Sequence, residues 1–205
     1  MIQNRATIIG ITGGIATGKS TFCNLLSKLG FLVIDSDKIA RDVVEIGSEG
    51  LKNVVDYFGD DILKEDGSLD RNKLGDLIFN DEKKRIALNN ILHPLITKKI
   101  KKLIDDNISI EKVIFIDIPL LLEVRSNLEK NGLDFDQVWL IYSKESTQVK
   151  RLMNRNNLSQ DQALMRIKSQ MNIEEKRKLA DLVINNEGSL EELEQMVERV
   201  TLIYR

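Results

Sequence analysis

The 205-residue chain sets 30 Lys and Arg against 32 Asp and Glu, with 42% hydrophobic and 30% charged residues. That length and balance suit one soluble domain, or one domain with an excursion, and exclude wholesale disorder. A net charge of −2 lacks the basic excess of a protein that tracks nucleic-acid phosphates, so no nucleic-acid partner is expected. The single Cys23 forbids an intramolecular disulfide and points to a reducing, cytoplasmic setting; with the single His93 it also excludes a His/Cys zinc site. The first residues show no charged stretch leading into a long apolar run, so no signal peptide is expected. No window approaches the roughly 18 apolar residues of a membrane span, so no membrane partner is expected.

Thr7–Thr12 is a short apolar, β-branched run, as a strand buried on both faces requires. Gly13-Gly14 breaks it, and a helical pattern follows through Phe22, Leu25, Leu26 and Leu29, with Gly30 as its stop. Phe31–Asp35 reads as the second strand, after which Ser36 can cap a helix carrying Ile39, Ala40, Val43 and Val44. The next sixty residues are helical in pieces (Leu51–Phe58, Arg71–Phe79, Asp81–Leu92, Pro94–Asp106), with His93-Pro94 ending one helix and opening the next. Lys112–Asp117, Gln137–Tyr142 and the weaker Leu182–Asn185 complete five strands. Ser159-x-x-Gln162 and Ser189-x-x-Glu192 read as capping boxes. The last helix shows a core-facing stripe of Leu190, Leu193, Val197, Val200 and Tyr204. No internal repeat or low-complexity tract is present.

Strands separated by helices predict an α/β fold, a five-stranded parallel sheet with helices on both faces. Residues 1–45, 110–143 and 180–205 form its core. The helical block 46–109 falls outside the alternation and reads as an inserted subdomain; the polar helices of 144–179 read as a lid.

Gly13-Gly14-Ile15-Ala16-Thr17-Gly18-Lys19-Ser20 fits G-x-x-x-x-G-K-[ST] between a predicted strand and a predicted helix. Glycines let backbone N–H groups turn inward around a phosphate, and the helix N-terminus adds its positive dipole end. Lys19 supplies a mobile charge for the β- and γ-phosphates, and Ser20 a hydroxyl for Mg²⁺. The alternative is a glycine-rich turn with a surface lysine, which the strand–loop–helix context disfavours. The guanine-specific N-K-x-D is missing: Asn72-Lys73 runs into Leu74-Gly75. The one D-x-x-G, Asp56-Tyr57-Phe58-Gly59, lies in a helical pattern. A GTPase is therefore excluded, an ATPase motor needs more chain, and a small kinase fits.

A kinase also needs an acidic group for the acceptor hydroxyl, an acceptor pocket and arginines that close over the transferring phosphoryl. Asp35 and Asp37 flank the C-terminal end of strand two, where open α/β sheets hold ligands. Arg41 shares a helix face with Asp37. The plainer role for Asp37 is a carboxylate favoured by a helix dipole. Asp117 ends strand three, where a carboxylate approaches Mg²⁺ beside Ser20, directly or through water; a strand-end cap is its alternative. Arg151 and Arg155 fall one helical turn apart on a polar helix, as lid arginines or as a solvated face.

Gly10-x-Thr12-Gly13-Gly14-Ile15-x-x-Gly18-Lys19-Ser20, followed by Val33-Ile34-Asp35-Ser36-Asp37-x-Ile39-Ala40-Arg41, resembles the dephospho-coenzyme A kinase family. So do Leu69-Asp70-Arg71, Ile78-Phe79, Leu88-Asn89-x-Ile91-x-His93-Pro94 and Asp117-Ile118-Pro119-Leu120-Leu121. Gln148-x-x-Arg151-Leu152-x-x-Arg155, Arg166-Ile167-x-x-Gln170 and Ala180-Asp181-x-Val183-Ile184-x-Asn186-x-Gly188 continue it to the last strand. The resemblance implies a P-loop kinase core with a helical substrate domain and a lid. It implies transfer of the ATP γ-phosphoryl to the ribose 3′-hydroxyl of dephospho-coenzyme A, the last step of coenzyme A synthesis, with Mg²⁺. The ATP site it implies is Gly13, Gly14, Ile15, Ala16, Thr17, Gly18, Lys19, Ser20 and Thr21, with Arg155, Asn186 and Gly188 near the base. Lys19, Asp37 and Arg151 become the catalytic groups. Asp37, Arg41, His93, Asp117, Leu120 and Leu121 line the acceptor site, and Ser20 and Asp117 serve the metal.

Two features depart from that pattern. Ala16 stands where glycine is usual; at φ > 0 it would carry strain of roughly 1 kcal/mol. The connection 124–136 is some five residues longer than usual, which loop-closure scaling makes cheap. Two other classes remain: a kinase for a different small-molecule hydroxyl, and a non-catalytic ATP-binding module. Monomer and weak homo-oligomer are both compatible with the sequence.

Overall fold

A computed structural model describes residues 5–79 and 81–205. Its centre is β1 (Thr7–Gly13), buried everywhere beyond Thr7 because a parallel neighbour lies on each side and helices cover both faces. β2 (Leu32–Asp35) and β3 (Val113–Asp117) lie to one side of it, β4 (Gln137–Tyr142) and β5 (Leu182–Asn185) to the other, all in parallel pairs and in the order β2-β3-β1-β4-β5. The chain therefore builds one half of the sheet, returns past β1 and builds the other. β1 is the switch point, and the space beyond its C-terminal end is where such sheets hold ligands.

Ten α-helices connect and cover these strands among the described residues. In the order of the chain α1 is Lys19–Lys28, α2 Ser36–Asp42, α3 Glu49–Phe58, α4 Arg71–Phe79, α5 Glu82–Asn107 and α6 Leu121–Lys130. α7 is Glu145–Asn156, α8 Gln160–Lys168, α9 Ile173–Leu179 and α10 Leu190–Thr201. α1 and α10 pack on one sheet face, where Phe22, Leu25, Leu26, Leu193 and Val197 meet Ile9, Ile11, Phe115, Trp139 and Ile184. Trp139 is the aromatic centre of that layer, its ring 5.4 Å from Phe115 and 6.5 Å from Phe22. Each such fully buried side chain contributes about 1.5–3 kcal/mol. On the opposite face Ile173 of α9 packs against Leu140 and Tyr142. Leu121 of α6 comes so close to Gly10 that a β-carbon there would lie 2.4 Å from its Cδ2.

The expected stops and caps are present. Gly30, at φ 88°, follows α1; its N–H reaches the Ser27 carbonyl and the Phe31 N–H the Leu26 carbonyl, a complete Schellman closure. Both capping boxes form, at Ser159/Gln162 and Ser189/Glu192.

The chain divides into two units, one comprising residues up to Asp35 with Ile104–Arg205, the other Ser36–Leu103. The first holds the whole sheet and, with it, helices α7 to α10; the second, among the described residues, is helical with one isolated bridge between Leu63 and Leu69.

One local expectation needs correction. The break at His93-Pro94 does not occur: α5 runs from Glu82 to Asn107 with Pro94 inside it. Pro94 removes one N–H and the bond it would make to the Asn90 carbonyl, but both residues are exposed, so water can take that carbonyl. The longer connection 124–136 is largely helical. α6 occupies it as far as Lys130, and Leu133 beyond it is buried.

Because a proline inside a helix is unfavourable, Pro94→Ala should stabilise the chain by about 1–3 kcal/mol, read as a higher urea midpoint. A helix that restarted at Pro94 would lose stability with the same substitution.

Candidate active site

The functional loop joins the C-terminal end of β1 to the N-terminus of α1. Between them Ala16 and Gly18 take left-handed conformations, φ 62° and 93°. Such alternation turns successive N–H groups towards one side and makes an anion-binding concavity. The first turn of α1 carries no acidic side chain, so its positive dipole end is not offset locally. Ser20 and Thr21 are exposed there, and the Lys19 ammonium pairs with the Asp117 carboxylate at the end of β3. Asp35 ends β2 directly beside Asp117 in the parallel register, which sets two carboxylates at one sheet edge.

A loop that offers N–H groups to an anion turns its carbonyls the other way, where they need partners or water, since the two ends of a trans peptide point in opposite directions. The chain supplies those ties. The Gly14 carbonyl accepts from the Thr17 N–H at 3.2 Å and from its hydroxyl at 2.9 Å. The Thr17 carbonyl accepts from Asn186 Nδ2 at 2.8 Å, from Arg151 Nη1 at 3.4 Å and from Ser143 Oγ at 3.4 Å. The Gly18 carbonyl starts the α1 ladder by accepting from Phe22 N–H at 3.1 Å.

These ties share one buried polar network. Arg151 donates to Ser143 Oγ at 3.0 Å and to the Asn186 carbonyl at 2.8 Å, and Ser143 Oγ donates to the same carbonyl at 2.8 Å. Gln148 Nε2 donates to the Ser143 carbonyl at 2.9 Å. Ser143, Gln148 and Asn186 are all buried, so each unmade bond would carry a desolvation cost of about 1–3 kcal/mol.

The dephospho-CoA kinase family model matches residues 7–192. The chain belongs to the dephospho-CoA kinase family. It is 46% identical over 192 residues to a dephospho-CoA kinase of Carboxydothermus hydrogenoformans, covering 93% of this chain and 90% of the relative. A solved structure of a dephospho-CoA kinase from Campylobacter jejuni superposes with a TM-score of 0.64 at 32% identity, covering 97% of each chain. The solved structure of a Thermus thermophilus protein, TT1252, superposes with a TM-score of 0.78 at 34% identity over 98% of each chain.

Within the sheet-containing unit of the chain, Lys19 of the first α1 turn pairs with Asp117, while Arg151 and Asn186 bond to the loop at Thr17. Asn186 directs its amide at Thr17. Gly188 is exposed, and a β-carbon on it would lie 1.5 Å from the Glu192 carboxylate that caps α10, which explains the glycine. Arg155 is exposed and bonds to Asn156 Oδ1. Leu120 is 41% exposed at the start of α6, whereas Leu121 is fully buried against Gly10. In the helical unit Asp37 sits in the first turn of α2 and Arg41 in its last, its carbonyl accepting from Arg71. His93 lies on α5, where burial lowers its pKa.

Sequence reasoning missed Ser143, which carries only the weak signal of following a strand's C-terminal end. Cys23 lies one turn after Lys19 and is buried. Burial, and then the Asp117 carboxylate, push that thiol's pKa far above its usual value, so it is a neutral packing group.

Gly18 combines φ 93° with an Asn186 Nδ2 that would stand 2.1 Å from an added β-carbon. Gly18→Ala should therefore weaken ATP binding at least 100-fold by titration calorimetry, roughly 3 kcal/mol of clash and strain. Adding Asn186→Ala should recover part of that loss; no recovery would show that the clash is not the cause.

Proposed function

We propose that the chain transfers the γ-phosphoryl group of ATP to the ribose 3′-hydroxyl of dephospho-coenzyme A, the last step of coenzyme A synthesis. The observation that carries this reading is the P-loop at the sheet's switch point, with Lys19 and Asp117 paired beside it, in a chain similar to dephospho-CoA kinases over nearly its whole length. In the transfer the 3′-oxygen forms a bond to the γ-phosphorus as the bond from that phosphorus to the bridging oxygen of ADP breaks. The hydroxyl proton passes to a carboxylate.

Asp37 is our choice for that carboxylate. It follows β2 by two residues, and an exposed carboxylate can orient the hydroxyl and accept its proton without a raised pKa. Lys19 exchanges Asp117 for the β- and γ-phosphates, one anionic partner for another, so the ammonium is never left without an anion. Arg151 already lies against the loop, bonded to the neutral oxygens of Thr17, Ser143 and Asn186; exchanging one of them for a phosphoryl oxygen gains a charge-assisted bond where negative charge develops. Asn186 keeps hold of Thr17 meanwhile. Arg155 and the turn at Gly188 serve the nucleotide base, and Arg41, His93 and Leu120 the acceptor. Residues 46–109 carry acceptor recognition and 144–179 act as the lid.

The donor set suits Mg²⁺. Among the described residues no group of three or more His, Cys, Asp or Glu side chains forms a metal cage. Mg²⁺ bound to a nucleotide needs none, taking one or two protein oxygens, the phosphates and water. Ser20 and Asp117 would hold it. Bound there, it would neutralise charge on the phosphates.

The direct test is acceptor-dependent ADP release with dephospho-coenzyme A, shikimate, gluconate and nucleosides, and phosphorus NMR of the product. Turnover confined to dephospho-coenzyme A, with a new 3′-phosphomonoester, is expected; equal turnover of another hydroxyl, or none, contradicts it. Lys19→Ala should abolish turnover. Asp37→Asn should lower kcat by about 100-fold while ATP affinity holds. Near-normal kcat in Asp37→Asn, with loss in Asp35→Asn or Asp117→Asn, would move the base elsewhere.

A further inference from the structure

The carbonyls of Gly14, Thr17 and Gly18 are tied by groups already described. Gly13, the hinge between β1 and the loop, is tied by something else. Its carbonyl accepts from the Nζ of Lys176, on α9, at 3.3 Å. The Lys176 side chain is completely buried. Its other partner is Glu123 in the first turn of α6, at 2.7 Å to Oε1. The same oxygen accepts the Met171 N–H at 3.2 Å, while Glu123 Oε2 is buried with no hydrogen-bond partner among the described residues.

As a stabilising device this pair is poorly made. Buried ion pairs repay their desolvation only when every oxygen and proton is satisfied, and apolar replacements of similar volume are often as stable. The charge is better explained by what it touches. Gly13 and Gly14 are adjacent glycines at the end of β1, so neither carries a β-carbon to restrict its backbone. A Gly13 carbonyl that rotated inward would aim its negative end at the phosphates. The ammonium holds it back and adds a fixed positive charge behind the loop.

The surroundings fit that role. The turn preceding α9 supplies Gln170, whose Oε1 accepts the Ile15 N–H at 2.9 Å, and Ile173 of α9 lies 3.3 Å from where a Gly14 β-carbon would be. Three successive P-loop residues thus meet one short segment, 170–176.

We infer that Lys176 is a positioning residue for the triphosphate, fixing the Gly13 carbonyl outward, with Glu123 as its anchor; this rests on the reading of the loop as the ATP site. The role predicts a selective defect. Lys176→Met keeps the length of the side chain and removes its charge and donors. ATP should bind about ten-fold more weakly to it by titration calorimetry, the size of one lost charged hydrogen bond, while KM for dephospho-coenzyme A stays within about two-fold. The variant also strands Glu123, so its thermal midpoint should fall.

Adding Glu123→Gln separates position from stability, because no buried carboxylate is then left without its cation. In the double variant the midpoint should return towards wild type and the ATP defect should persist. If the double variant instead binds ATP as tightly as wild type, the pair is only structural and the inference is wrong. The double variant decides the question even if Lys176→Met alone fails to fold. Wild-type enzyme that bound no ATP would overturn the assignment of the loop rather than the role of Lys176.

Discussion

A backbone that is to present N–H groups to an anion has to dispose of its carbonyls, and the rest of this site depends on how that is done. Every peptide between Gly13 and Lys19 has a negative end that must point away from the phosphates. The chain recruits for this purpose side chains far away in sequence: Lys176 for Gly13, Asn186, Arg151 and Ser143 for Thr17. The Gly14 and Gly18 carbonyls are served locally, by Thr17 and by the α1 ladder. The sheet makes this possible. With β1 central and β4 and β5 beside it, residues that follow β4 and β5 arrive next to the loop that follows β1.

The charges are arranged for exchange rather than for static stability. Lys19 has an anionic partner in Asp117, Arg151 has neutral ones, and Lys176 has half of a carboxylate and one peptide oxygen. A triphosphate entering such a site meets cations whose present bonds are replaceable, next to amides that are already oriented. Preorganisation of this kind favours charge that develops during transfer, because little has to reorient when it appears. Cys23 sits within the same layer as a neutral thiol and adds packing without competing for phosphate.

What the sequence disclosed follows the range of the interactions. The P-loop, the five strands, the Gly30 stop and both capping boxes are local patterns, and they are readable from a dozen residues at a time. Ala16 belongs with them: its left-handed φ was foreseeable from the motif, and the strain that accompanies it is small. The continuity of α5 through Pro94 was not readable, because whether a proline breaks a helix depends on whether the freed carbonyl can reach water. Lys176 and Gln170 look like part of a polar helical stretch, and Asn186 like a turn residue. Their partners are 163, 155 and 169 positions away, so no periodicity reports them. Ser143 is hidden for the same reason.

The central claim is that the chain's own side chains hold the P-loop open for phosphate. The most direct measurement is a pair of crystal structures of the wild-type enzyme, one grown without nucleotide and one with ATP. Without nucleotide, Ala16 and Gly18 should keep φ near 60° and 90°, and the Gly13 and Thr17 carbonyls should stay on Lys176 and Asn186, unchanged when ATP is bound. A nucleotide-free loop with either carbonyl turned inward, righted only by ATP, would contradict the account.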